Sequence, residues 1–161
     1  MKRLWWAALI LLLAATFAPA QKLPWQKSER PQDVRYLYPE QVSVPAGKDA
    51  VVDLHFKINP GMHINSHTPS EKGLIPTRLI LPENSGVTLG KVEFPAGSEY
   101  SLAAMPSVKL NVYTGDFVVH AHVRAAAGQH LLQGSLRYQA CDVNACYPPR
   151  NAPVVVDVIA K

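Results

Sequence analysis

The clearest alternation in the chain lies at residues 51–58, where Val52, Leu54, Phe56 and Ile58 fall on one side and Asp53, His55 and Lys57 on the other. A period of two is the mark of a strand with one buried face. Residues 117–124 repeat it, with Phe117, Val119, Ala121 and Val123 against Val118, His120, His122 and Arg124. Residues 131–139 set Leu132, Leu136 and Tyr138 on one face. Shorter runs at 77–81, 87–94, 108–112 and 154–159 read as further strands, and 41–44 as a short opening one. The 14 prolines and nine glycines punctuate the chain at short intervals and leave little room for helices. Seven to eight short strands without a βαβ rhythm predict an all-β domain built as a β-sandwich.

The N-terminus follows a different pattern. Lys2 and Arg3 precede an apolar run from Leu4 to Phe17, closed by Ala18-Pro19-Ala20. Such a charged start, short apolar run and small-residue ending describe a cleaved secretory signal over residues 1–20. The run is shorter than the roughly 20 residues needed to span a bilayer. Residues 21–35 are polar, carry Pro24 and Pro31 and show no period, which predicts a flexible leader ahead of a single domain at 36–161. Losing Lys2 and Arg3 with the signal lowers the formal charge from +4 to +2. The remaining lysines and arginines are scattered, so nothing here suggests a nucleic-acid partner. Export places the domain in an oxidising compartment, where neighbouring cysteines can pair.

The chain has two cysteines, Cys141 and Cys146, with four residues between them. A disulfide closing a ring of about six residues stabilises a fold by only about 2 kcal/mol in the loop-closure model. A bond that contributes so little as a staple is better explained by its opening and closing. A thioredoxin fold is not expected, because it needs helices and a C-x-x-C pair at a helix start. Here the pair follows a strand and precedes Pro148-Pro149, which places it on a strand-end loop or hairpin. The chemistry needs only a thiolate that attacks a disulfide sulfur and a second thiol that releases the mixed disulfide. Asp142 would tend to raise a neighbouring thiol's pKa, and the cations Arg137 and Arg150 only flank the loop. Tyr138 and Tyr147 border the pair as a candidate aromatic collar, with alternation against Leu136 offering a core role for Tyr138 instead. The residues alone leave two other readings open: a binding sandwich with a structural disulfide, and a metal module using the cysteines with His63, His67, His120 and His122. No histidine spacing matches a specific metal motif, and His120 and His122 sit where a solvent-facing strand surface is expected. There is no G-x-S-x-G elbow, phosphate loop or H-E-x-x-H.

Tyr138-Gln139-Ala140-Cys141 and Cys146-Tyr147-Pro148-Pro149 resemble the N-terminal periplasmic domain of the bacterial thiol–disulfide interchange protein DsbD. Asn59-Pro60-Gly61-Met62-His63-Ile64-Asn65-Ser66, Leu74-Ile75-Pro76-Thr77 and Tyr113-Thr114-Gly115-Asp116-Phe117 agree with it, so the resemblance spans roughly residues 35–160. It implies an immunoglobulin-like sandwich with a redox-active pair and no cofactor or metal. In that family a membrane electron-transfer protein supplies reducing equivalents through a thioredoxin-like domain. The N-terminal domain then reduces exported clients such as a disulfide isomerase or a cytochrome c maturation thioredoxin. The resemblance makes Cys146 the attacking thiol and Cys141 the resolving one. It also implies a cap loop near residues 97–107, with Tyr100, Leu102 and Met105 as candidate lids, and brings His63 near the pair. In the full-length family protein a membrane domain and a thioredoxin-like domain follow. A stand-alone version would take electrons from a separate protein.

Overall fold

The computed structural model describes residues 30–37, 41–83, 86–102 and 105–161, without the side chain of Met105. Among these residues all regular structure is β, in 12 strands. They are β1 (Val34–Tyr36), β2 (Gln41–Val44), β3 (Ala50–Ile58), β4 (His63–Asn65), β5 (Arg78–Ile80) and β6 (Val87–Glu93), followed by β7 (Ser98–Leu102), β8 (Met105–Tyr113), β9 (Asp116–Ala125), β10 (Gly128–Tyr138), β11 (Ala140–Cys141) and β12 (Arg150–Ala160). Three four-stranded sheets result, in the orders β1-β3-β9-β6, β2-β12-β10-β5 and β11-β4-β8-β7. All the pairings are antiparallel except β2 with β12.

The two larger faces bury the alternating positions read from the sequence. Val52, Leu54, Phe56 and Ile58 of β3 and Phe117, Val119, Ala121 and Val123 of β9 join one cluster. Leu132, Leu136 and Tyr138 of β10 and Val154, Val156 and Val158 of β12 join the same cluster from the second sheet. Two sheets sharing one core is the predicted immunoglobulin-like sandwich. A run of stacked rings carries this core towards the third sheet. Phe56 lies 5.3 Å from Phe117, and Phe117 lies 5.0 Å from Tyr113 at the end of β8. Aromatic pairs at these separations add about 0.5–1.5 kcal/mol beyond the area they bury. Gly134 is needed where β10 passes β5, because a Cβ there would stand 2.8 Å from the Ile80 carbonyl oxygen.

All eight strands read from the sequence are present, several a few residues longer. Four more, β1, β4, β7 and β11, are two to five residues long, too short to show a period. The expected signal at residues 1–20 lies outside the described residues. The leader boundary moves: the part of 21–35 that is described ends in strand, since Val34 and Arg35 pair with Ile58 and Lys57 of β3. Val34 is fully buried, and three long-range hydrogen bonds fix the approach to it. Arg150 donates to the Pro31 carbonyl at 2.8 Å, the Gln32 amide to the Asn151 carbonyl at 3.0 Å, and Asn59 to the Gln32 carbonyl at 2.8 Å. A polar stretch can be ordered when its backbone groups find partners, which composition does not reveal.

Phe56→Ala removes a fully buried ring from one end of this stack and is expected to lower stability by about 3–5 kcal/mol. Val51→Ala, on the exposed face of the same strand, should change it by less than about 0.5 kcal/mol. Urea denaturation of both variants checks the assignment of the two faces.

Candidate functional site

Two local structures bring the cysteine segment against β4. The first is the turn Asn59-Pro60-Gly61-Met62, in which the Met62 amide donates to the Asn59 carbonyl at 3.1 Å. Proline at the second position and glycine at the third, with φ of +78° at Gly61, are what such a turn requires. It delivers His63-Ile64-Asn65 as a wholly buried strand. The second is the point where the chain leaves β10 and enters β11 at Gln139. Its carbonyl accepts from the Asn65 amide at 3.3 Å. Its side-chain oxygen accepts from the Asn65 side chain at 3.0 Å and the Ile75 amide at 3.2 Å. Its side-chain nitrogen donates to the Tyr147 carbonyl at 3.3 Å. In the register that follows, Ala140 faces Ile64 and Cys141 faces His63.

Beyond Cys141 the chain turns back at once. The Asp142 amide donates to the Ala145 carbonyl at 2.9 Å, and the Tyr147 amide to the Ala140 carbonyl at 2.8 Å. Cys141 and Cys146 thus face each other across a two-residue hairpin, Cα to Cα 3.9 Å, and are joined as a disulfide. Asp142 holds the turn. Its Oδ1 accepts the Asn144 amide at 2.7 Å and the Ala145 amide at 2.9 Å, while Oδ2 accepts the Tyr147 hydroxyl. The Asp142 carboxylate is therefore engaged by the hairpin itself. The two sulfurs differ sharply in access. Cys141, with β4 on one side and Cys146 on the other, is 1% exposed. Cys146, at the outer edge and followed by two prolines, is exposed.

His63 lies in line with the two cysteines and is 2% exposed. Its ring packs against Tyr100 of β7 at a tilt of 32°, centroid to centroid 4.1 Å. Its Nε2 is buried without a hydrogen-bond partner. Burial lowers the imidazole pKa below its usual 6.5, and the nearby Asp142 charge opposes that shift. Beside the hairpin opens a cleft of about 470 Å³, lined by Lys57, Met62, His63, Tyr100, Asp116 and Val143 among others. Val143, at the hairpin tip, is 65% exposed.

The expected site residues do not all gather here. Tyr147 stands half-buried beside the pair, braced on Asp142. Tyr100 comes from the expected cap region, which forms the β7–β8 ladder. The Met105 side chain lies outside the described residues. Tyr138 does not take the collar position: it is 0% exposed in the sandwich core. Its side is set by alternation with Leu136, and its hydroxyl donates to Gln32 at 2.8 Å. Arg150 turns to Pro31 and Asp33. His67 bonds Tyr113 and stacks on Phe94, 4.9 Å between centroids. His120 and His122 lie on β9, in a different sheet from the cysteines, paired with Asp53 at 2.7 Å and Asp49 at 2.8 Å. Among the described residues no three His, Cys, Asp or Glu side chains are grouped to hold a metal.

Gln139, Asn65 and Val143 were not singled out from the sequence, although Gln139 and Asn65 stand inside the motifs quoted. An Asp two residues before an amide it can cap was the available signal for the turn role of Asp142. Asp142→Ala removes three hydrogen bonds from the hairpin and should cost about 1–3 kcal/mol. It should also speed amide exchange at Asn144 and Ala145 in the reduced protein. Asp142→Asn, which keeps an acceptor oxygen, should fall between the two. Hydrogen exchange by NMR with denaturation curves measures both effects.

The family model for the N-terminal region of thiol:disulfide interchange protein DsbD matches residues 33–157. Among solved structures, the reduced N-terminal domain of DsbD from Neisseria meningitidis is 22% identical, with a TM-score of 0.47 over 69% of this chain and 79% of that one. The N-terminal periplasmic domain of ScsB from Proteus mirabilis is 14% identical, with a TM-score of 0.49 over 71% of this chain. The matched part is 42% of the ScsB chain. No curated protein matches the chain. The family match begins just before β1, takes in the hairpin and both cysteines, and ends within β12, and the chain belongs to the DsbD N-terminal family.

Proposed function

We propose that the domain is a periplasmic thiol–disulfide exchange module, exported by a cleaved signal, that relays reducing equivalents through the Cys141/Cys146 couple. The donor is a thioredoxin-like protein or domain fed by a membrane electron-transfer protein. The clients are exported proteins of the disulfide isomerase or cytochrome c maturation thioredoxin type. The observation that carries this reading is the unequal access of two sulfurs held on one rigid hairpin. Exchange needs one sulfur that a partner can reach and a second that only the first can reach, and Cys146 and Cys141 fit those roles.

The electrons balance in two steps. In the dithiol form the Cys146 thiolate attacks a client disulfide, forming a Cys146–client bond and expelling a client thiolate. Cys141 then attacks the Cys146 sulfur, breaks the mixed disulfide and releases the second client thiolate. The client gains two electrons and the pair loses two. Reloading by the donor reverses the sequence. Because the hairpin keeps its own hydrogen bonds, opening the disulfide removes only about 2 kcal/mol of loop-closure stabilisation. The sandwich core is not touched.

Cys141→Ser is expected to accumulate a mixed disulfide between Cys146 and a thioredoxin-like protein, seen as a dithiothreitol-sensitive adduct on non-reducing gels. Cys146→Ser is expected to give none; equal trapping by both variants, or by neither, removes the assignment. A redox titration of the wild-type pair distinguishes the relay from a purely structural bond. The relay requires a midpoint above about −300 mV, and a structural bond lies below it.

A further inference from the structure

We propose that His63 accepts the Cys141 proton when Cys141 resolves the mixed disulfide, acting as the general base of the release step. The inference rests on the relay reading above and adds a proton path to it. Release needs Cys141 as a thiolate, yet a thiol enclosed by apolar surroundings keeps its proton. Cys141 is 1% exposed and its strand neighbour Ala140 is equally buried. Water therefore reaches it poorly, and the hairpin contains no lysine or arginine.

His63 supplies what is missing. It is the direct cross-strand partner of Cys141, and facing side chains in an antiparallel pair have Cβ atoms about 4.5–5.5 Å apart. Its Nε2 is buried and has no hydrogen-bond partner in the oxidised state. An orphaned polar atom of that kind normally costs about 1–3 kcal/mol, and fold stability gives no reason to keep it. A disulfide has no proton to offer, whereas a thiol at Cys141 has one. Burial keeps the imidazole neutral at physiological pH and so ready to accept. The charged and titratable groups around it are Asp142 on the hairpin, Tyr100 on β7, and the Lys57–Asp116 ion pair across the cleft, 3.3 Å apart. Asp142 favours the imidazolium once it forms, and the Tyr100 ring screens the site from water.

In the step itself the Cys141 S–H proton passes to Nε2. The Cys141 sulfur forms its bond to Cys146, the Cys146–client bond breaks, and its electron pair leaves on the client sulfur. The imidazolium then returns its proton to that thiolate or to water. No other reagent is consumed.

The two steps separate in a stopped-flow reaction of the reduced, full chain with equimolar 5,5′-dithiobis(2-nitrobenzoate). The first equivalent of nitrothiobenzoate reports attack by Cys146, and the second reports release by Cys141. In the wild type the release rate should be level between about pH 7 and 8 and decline only below the ordinary histidine range, near 6.5. His63→Gln should slow release at pH 7 by about tenfold or more, and its rate should climb about tenfold per pH unit as thiolate forms. The first phase should be unchanged. A His63→Gln release phase with wild-type rate and a level profile overturns the proposal. So does a wild-type release phase that climbs tenfold per unit across the whole range, a result that holds even if the variant fails to fold. Absence of any second phase in the wild type overturns the relay reading itself.

Discussion

Strand β10 changes sheets at Gln139, and the position of both sulfurs depends on how that change is held. A chain leaving one ladder for another leaves backbone groups without partners, and buried ones are costly. Here one glutamine gathers four hydrogen bonds, to Asn65 twice, Ile75 and the carbonyl of Tyr147. Those bonds fix the register of β11 against β4, because a one-residue shift would break them and turn Cys141 away from His63. Thr77 continues the network through the Asn65 carbonyl. The sulfurs sit where a polar hub between sheets puts them, and the disulfide does not set its own location.

Stability and reactivity are thereby assigned to different parts of the molecule. The sandwich core and its ring stack carry the folding energy, with the Phe56–Phe117–Tyr113 run tying the third sheet to the first. The hairpin carries little of that load, and Asp142 holds its turn through hydrogen bonds that do not involve the sulfurs. The exchange role proposed above needs such a division. If the disulfide were the main staple, each reduction would loosen the fold that presents the thiols.

The larger part of the fold was legible because β3, β9, β10 and β12 bury one face each, and a one-sided strand writes its period into the sequence. β4 was not, because all three of its residues are buried, leaving no alternation to read. β11 has two residues, fewer than a period needs. The start of the domain was set too late because Gln32 and Arg150 secure it through bonds that link residues 119 positions apart. At the site, the cysteine pair and its flanks could be read directly, as could the place of Tyr138 through its spacing from Leu136. The contact of Tyr100 with His63 could not, since it joins strands of the third sheet that are not neighbours in the chain. Gln139 was hidden for another reason: a polar residue at a strand end looks like solvent-facing material until its partners are known.

The parallel pairing of β2 with β12 has a consequence for how the chain reaches this state. Val44 and Ala46, near the start of the domain, each share a backbone hydrogen bond with Lys161. Residues 41–44 pair with 157–160, so an early strand waits for the last one before its ladder exists. Contacts of such long sequence separation slow folding, because the loop entropy is lost before the contact stabilises anything. In vectorial synthesis, β2 and the β12-facing edge of β10 would both stand open until the final strand arrives. Over that interval an open edge can pair with another chain, and the arrival of β12 closes both edges at once.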